Sequence, residues 1–370
     1  MEATLKLIHQ TTTELGQKVL RPNRLDHDHF PPPDAFIKVM EKAYEMDLFH
    51  MILPEPLGGM GLNMASLNTT MANICAEDTS LGTAIFTHTA AQELILAAHA
   101  ADLLPDSNQR RMTEALLAFQ IYHNPLDTPP ALRAVLEAGE WLLSGGLDYL
   151  VMGHVLRYAV VPAVAGGQDA LDYFLVDLQA KGARTSKPVL SLGTHACGAV
   201  DLELRNVTGR LIGEPGHGRD YFETMAAKMA LAAGAMSLGI MQGAFKEALA
   251  YARERSQGGR KLVDWSELKM MLANMAVQVR TAEMLMDQAS LLPEAQKPNW
   301  AQYAQAVQIA VQEAACCVAT DGVQVLGGAG YMKDFGQEKR YRDAHQIQTL
   351  FGHVPLKKLR LMDAIITKAQ

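Results

Sequence analysis

The turn Phe351-Gly352-His353, in the stretch QIQTLFGHVP, is the first place in this chain where chemistry is expected. A glycine between a large aromatic and a histidine, just ahead of Pro355, makes a tight bend that can face a ligand or simply cap a helix. An unperturbed imidazole titrates near about 6.5, which suits a general base, so His353 is one candidate and His88, in FTHTAAQ, is another. Glu93 lies five residues after His88, an offset that turns it away from His88's helix face, and Glu223 is read as a partner of a helix N-terminus. Gly327, Gly328 and Gly330 follow a helical run that ends at Leu326; there the main chain can turn and bring N–H groups to a phosphate or ribose, or only terminate the helix. Arg255 is a permanently charged planar donor that suits a pyrophosphate, or a solvated residue at a helix end. The four cysteines, at 75, 197, 316 and 317, lack zinc-site spacing and read as buried thiols, so no metal is expected.

Three regions must position these residues. Up to residue 116 apolar residues recur at helical spacing, as in FIKVMEKAYEMDLFHMIL and AAQELILAAHAADLL, broken by PPP and PEPLGGMG. From 117 to 222 the runs are short and β-like: LLAFQIYH, EWLLSGGLDYLVMG, LRYAVVPAV, LDYFLVDL and VDLELRNV. From 223 to 370 long helical patterns return in four segments rich in Ala, Gly and Met, which predict a four-helix bundle with close helix approach. The predicted fold is therefore mainly α with a central β domain. A chain of 370 residues that is 49% hydrophobic can bury a large core. Its net charge of −7, with both signs interspersed, builds no surface against nucleic acid. Neither a signal-peptide core nor a run approaching the roughly 18 apolar residues of a membrane helix is legible, so no membrane insertion and a cytoplasmic location are expected.

Several motifs, in order along nearly the whole chain, carry a resemblance. LPEPLGGMGL (53–62) is similar to a PEEYGGxGL loop, ARERSQGGRKL (252–262) to an ERxQFGxxL segment, and DGVQVLGGAGYMKDFGQEKRYRDA (321–344) to QxLGGxGY…RxYRDA. LIGEPGHGRDYFETM (211–225) looks like the loop that leads out of the β domain in the same family. These are motifs of the acyl-CoA dehydrogenases, and the chain is identified as a member of that family. The resemblance implies a helical domain, a β-barrel or sandwich and a four-helix bundle. It also implies FAD, an acyl-CoA substrate oxidised between its α and β carbons, and an electron-transfer flavoprotein as acceptor.

Residue by residue, the resemblance assigns Arg255, Gln257, Gln324, Leu326, Gly327 and Gly328 to the FAD of a neighbouring subunit, and Lys228 and His88 to the substrate side. Gly258 stands where an aromatic normally follows. The segments that hold the chain's own flavin depart further. YxxTExxxGSD becomes FQIYHNPLDTPP, with His123 and Asn124 at the hydroxyl and acid; WITNG becomes YLVMG, with Tyr149 and Val151 at the aromatic and hydroxyl; GxRxSxT becomes GTHACGA. The Glu of IYEGT, which removes the α-proton, falls on Phe351, and the alternative Glu position on the first bundle helix falls on Ala227. A phenylalanine accepts no proton. Asp343, in YRDA, is read as a structural partner of Arg340 or Arg342.

Two expectations follow. In the first, the chain is a non-catalytic subunit of a heteromeric acyl-CoA dehydrogenase, a heterotetramer in which it completes the FAD site of a homologous partner. In the second, it is a self-sufficient dehydrogenase that uses His353 or His88 as an unusual base. A third reading is an acyl-CoA-binding scaffold without redox activity. The one-sided loss favours the first, because the motifs that serve a partner persist while the base and the cradling segments change together.

Overall fold

The computed structural model describes residues 2–165, 170–290 and 299–368. Six helices precede the first strand: α1 Glu2–Leu15, α2 Arg21–His27, α3 Asp34–Glu45, α4 Met64–Cys75, α5 Thr79–Ala97 and α6 Met112–Ala115. The Asp78 carboxylate caps α5 by accepting the Ser80 N–H at 2.9 Å. Beyond that cap α5 is mostly apolar or small and is buried from Thr79 to Ile95, its polar His88, Gln92 and Glu93 included.

The middle of the chain is a mostly antiparallel sheet of β1 Leu117–Phe119, β2 Arg133–Glu137, β3 Glu140–Val151, β4 Tyr158–Ala165, β5 Ala170–Asp177, β6 Ala183–Thr185 and β7 Ala199–Leu211. Its order is β1-β3-β2-β4-β5-β7-β6, and extra pairings of β1 with β4 and of β3 with β7 curl it toward a barrel. The β2–β3 hairpin turns at Ala138-Gly139, both at positive φ, the geometry that matches strand twist. The short strands β2 and β6 carry no alternating apolar signal. β2 exposes four of its five residues, so its pattern could not announce it.

The C-terminal region holds α7 Gly218–Glu254, a two-residue hairpin of β8 Ser256–Gln257 and β9 Arg260–Lys261, then α8 Ser266–Ser290, α9 Trp300–Leu326, α10 Gln337–Ile347 and α11 Val354–Lys368. α7 lies at the centre, against α4, α5, α8 and α9. Its glycines permit that approach: a Cβ on Gly239 would stand 2.3 Å from the Ala72 carbonyl oxygen of α4. By length and hydropathy α7 and the stretch from Trp300 to Tyr331 would both suit a membrane, a correction to the expectation from runs of apolar residues. In α7, 78% of that apolar window is buried inside the fold, because Ala, Gly and Met on all faces are what a central helix needs.

α10 is a helix in addition to the expected four, hidden in the sequence by its charge. Its ions turn inward. Lys339, 1% exposed, bonds Asp343 at 2.6 Å and Asp78 at 3.3 Å. Arg340 forks onto Glu247 at 3.0 Å, and Arg342 bonds Glu338 and Asp28. Asp343 therefore pairs with Lys339 rather than with Arg340 or Arg342, since those two guanidiniums point to carboxylates on other turns and helices. Cys75, Cys197 and Cys316 are buried as expected, whereas Cys317, one step around α9, is exposed.

Candidate functional site

Two separate places gather the residues singled out above. The first is an open groove of about 780 Å³ between the end of α7, the β8–β9 hairpin and the end of α9. Arg255, Gln257, Gln324, Leu326, Gly327 and Gly328 all line it. Arg255 sits at the C-terminus of α7, exposed, and among the described residues its guanidinium has no ion-pair partner. α9 stops where Gly327 takes φ 58° and ψ −131°, a conformation that only glycine adopts without strain. The turn leaves Gln324, Gly327 and Gly328 exposed on the groove wall. Trp265 supplies an aromatic wall that the motif comparison did not find. A Cβ at Gly258 would meet its ring at 2.8 Å, the indole N–H donates to the Gln257 carbonyl at 3.2 Å, and Arg260 lies 3.6 Å over the ring. A free guanidinium, a glycine-lined main chain and an aromatic face together fit part of a dinucleotide.

The second place surrounds Phe351. This residue is buried, at φ 57°, and packs on Phe86 at 5.4 Å and on Phe222 at 5.9 Å between ring centroids; Phe222 in turn stacks on Tyr173. Its N–H donates to the Ile121 carbonyl at 2.7 Å, and its own carbonyl accepts from the Asn124 amide at 3.2 Å. Asn124 spends its oxygen on the Leu126 N–H, so both ends of this side chain are committed. Val151 is fully buried in β3, His123 bonds the Thr128 carbonyl, and His195 is held between Asp28 and the Ser191 carbonyl. Tyr149 sits at φ 60°, its N–H on the Asp201 carboxylate. Asn124, Val151 and His195 thus offer no uncommitted polar atom to the edge of a flavin ring. These residues do not fit a flavin in the way the groove residues do.

Of the substitute bases, His88 is corrected by its surroundings. It is 1% exposed against Phe49 and His50, and its Nδ1 accepts the Leu117 N–H at 3.0 Å, so the remaining nitrogen carries the proton. Burial, then His50, holds its pKa well below the usual imidazole value. With its only lone pair committed, His88 takes no proton from a substrate. His353 lies exposed at the start of α11, where its carbonyl accepts the Lys357 N–H, and it is not on the wall of the cavity behind Phe351. Lys228 bonds the buried Glu93 carboxylate at 2.6 Å, a bridge from α7 to α5.

That cavity, about 250 Å³, is walled by Ala227 and Phe351 and also by Lys357. Lys357 was missed by motif reading, as one of two adjacent lysines in VPLKKLRLMDA. Helical spacing is the signal that could have found it: Lys357, Arg360 and Ala364 share one face of α11, while Leu359, Met362 and Ile366 are exposed. Burial and then Arg360 bring the Lys357 ammonium down to about 7.

A helical region, a curled sheet and a helical bundle, with a glycine-lined groove at the bundle's end, define a mainly α class of chains with a central β region. Residues 2–102 match the acyl-CoA dehydrogenase N-terminal domain and residues 216–361 the acyl-CoA dehydrogenase C-terminal domain. The chain belongs to the acyl-CoA dehydrogenase family. It is 26% identical to cyclohexane-1-carbonyl-CoA dehydrogenase of Geobacter metallireducens, across 99% of this chain and 98% of that relative. Among solved structures, butyryl-CoA dehydrogenase from Megasphaera elsdenii superposes with a TM-score of 0.87 at 19% identity, covering 98% of each chain. A glutaryl-CoA dehydrogenase from Mycobacterium smegmatis in complex with FADH2 superposes with a TM-score of 0.86 at 17% identity, covering 100% of this chain and 96% of that one. Members of the family are FAD-dependent oxidoreductases that act on the CH–CH group of acyl-CoA thioesters.

Proposed function

We propose that this chain is a subunit of a heteromeric, FAD-dependent acyl-CoA dehydrogenase and completes the FAD site of a homologous partner without itself abstracting the α-proton. The observation that carries this reading is the contrast between the two places. The Arg255 and Gln257 side chains and the exposed Gln324, Gly327 and Gly328 stand open on one groove, while Phe351 and Asn124 are consumed by packing and hydrogen bonds. FAD supplies the hydride acceptor when bound. The chain's part is to hold it: Arg255 toward the pyrophosphate, the main chain at Gly327-Gly328 against the nucleotide, and Trp265 as an apolar wall. Phe351 packs on Phe86 and Phe222 at the position where a catalytic carboxylate would stand.

Exposed apolar residues support association. Met270, Val277 and Met284 recur at seven-residue spacing on α8, each more than 60% exposed, and α11 turns Leu359, Met362 and Ile366 outward. The acyl group passes electrons, in this reading, through the partner's FAD to an electron-transfer flavoprotein. The test is flavin stoichiometry. Purified alone, the chain is expected to be colourless; purified with a homologous subunit that carries the TExxxGS and Glu motifs, the complex is expected to hold flavin. A yellow homo-oligomer with one FAD per chain would overturn the proposal.

A further inference from the structure

The cavity behind Phe351 has a chemistry of its own. It lies where the first turns of α7, the first turns of α9 and the middle of α11 meet, and its walls are Phe222, Leu126 and small residues such as Ala227, Ala230 and Ala301. Two polar side chains on these walls are more than nine-tenths buried. Lys357 is 2% exposed and donates to the Gln312 side-chain oxygen at 2.9 Å and to the Gln348 carbonyl at 2.8 Å, both neutral acceptors. Gln308, 4% exposed and one turn before Gln312 on α9, has an amide nitrogen that finds no acceptor among the described residues. A buried ammonium that faces only neutral dipoles, beside an orphaned amide donor, is costly unless an anion completes the set.

The other charges around it do not supply that anion. Arg360, one turn along α11, is already bridged to Asp127 and adds positive charge. Glu223 is at the exposed side, 3.5 Å from Arg219, and Glu313 pairs with Lys358 on the surface. At about 250 Å³ the cavity lies below the usual range for drug-sized ligands, roughly 300–1,000 Å³, and its alanine-rich wall is apolar.

We propose that this cavity is a binding site for a small monocarboxylate of short-chain or single-ring size, with the carboxylate on Lys357 and Gln308 and the hydrocarbon against the alanine face of α7. The lowered affinity of Lys357 for its proton agrees with the missing counter-charge, and a bound carboxylate restores it. The site rests on the geometry of this chain alone and does not depend on the assembly proposed above.

Calorimetric titration of the purified full chain with benzoate, and with uncharged benzamide of the same shape, tests the site. Benzoate is expected to bind at least 10-fold more tightly than benzamide. Its heat at pH 8 is expected to vary with the ionisation enthalpy of the buffer, because binding draws a proton onto Lys357. Lys357→Met is expected to abolish both the preference and the proton uptake. Ala230→Leu, which fills the cavity and leaves every charge in place, is expected to weaken benzoate at least 10-fold, so the proposal stays testable even where the lysine variant misfolds. Absence of binding by benzoate, butyrate and cyclohexanecarboxylate at millimolar concentrations would overturn the assignment. So would equal affinity for benzamide, or benzoate binding unchanged in Ala230→Leu.

Discussion

At the scale of single residues, the chain combines one silent position with one that titrates unusually. Phe351 gains burial against Phe86 and Phe222 and holds its turn through a main-chain bond to Ile121. An aromatic there makes the core and forgoes acid–base chemistry. Lys357 does the reverse, since its burial costs stability whenever it is charged. Its folded pKa, about 7, lies below its unfolded value near 10.5, so the unfolded chain binds more protons between those pH values. Its contribution to stability therefore rises with pH across that window and is flat below it. The stability advantage of Lys357→Met over the parent chain is expected to be largest near pH 7 and to shrink by about 1–3 kcal/mol toward pH 10. Urea unfolding of both proteins at a series of pH values measures it; an advantage independent of pH would mean that the lysine is solvated.

At the scale of elements, helix ends do the recognisable work. α7 delivers Arg255 at its last turn, and α9 breaks at Gly327 into a conformation closed to other residues, so two helix termini from one bundle meet at a single groove. A charge-assisted contact to a phosphate contributes about 1.5–3 kcal/mol. Arg255→Ala is accordingly expected to lower the FAD content of the copurified complex, by about 10-fold in flavin affinity, with the fold intact by circular dichroism. Unchanged flavin affinity would reduce the groove to an ordinary pair of helix termini. α10 shows the opposite use of charge. Its Lys339, Arg340 and Asp343 turn inward to α5, α7 and the loop at Thr194, so this charged segment is a buried clamp between all three regions.

At the scale of the whole molecule, the apolar faces of α8 and α11 remain uncovered. Leu359 is 62% exposed and Ile366 48%, although the opposite face of the same helix buries Lys357. An isolated soluble chain gains nothing from that inversion, whereas an assembly covers the apolar side. Leu359→Glu combined with Ile366→Glu is expected to leave the helical content of the chain unchanged and to shift the copurified complex to smaller species on size exclusion. An assembly of undiminished size would place the partner on another face.

Periodicity alone was enough for the long helices and the long strands, because a 3.6-residue or two-residue repeat of apolar side chains has one economical way to reach a core. The glycine and arginine motifs were equally legible, since backbone freedom and permanent charge belong to the residue type itself. The short strands β2 and β6 and the helix α10 were not, because pairing with neighbours and burial of matched ions stabilise them rather than any local pattern. Nor was the fate of individual polar groups. His88 looked available until the Leu117 N–H took its lone pair, and Lys357 carried no motif signal until α11 turned it into a cavity. A side chain's chemistry depends on what shares its volume, and residues far apart along the chain are brought into one volume only by tertiary packing.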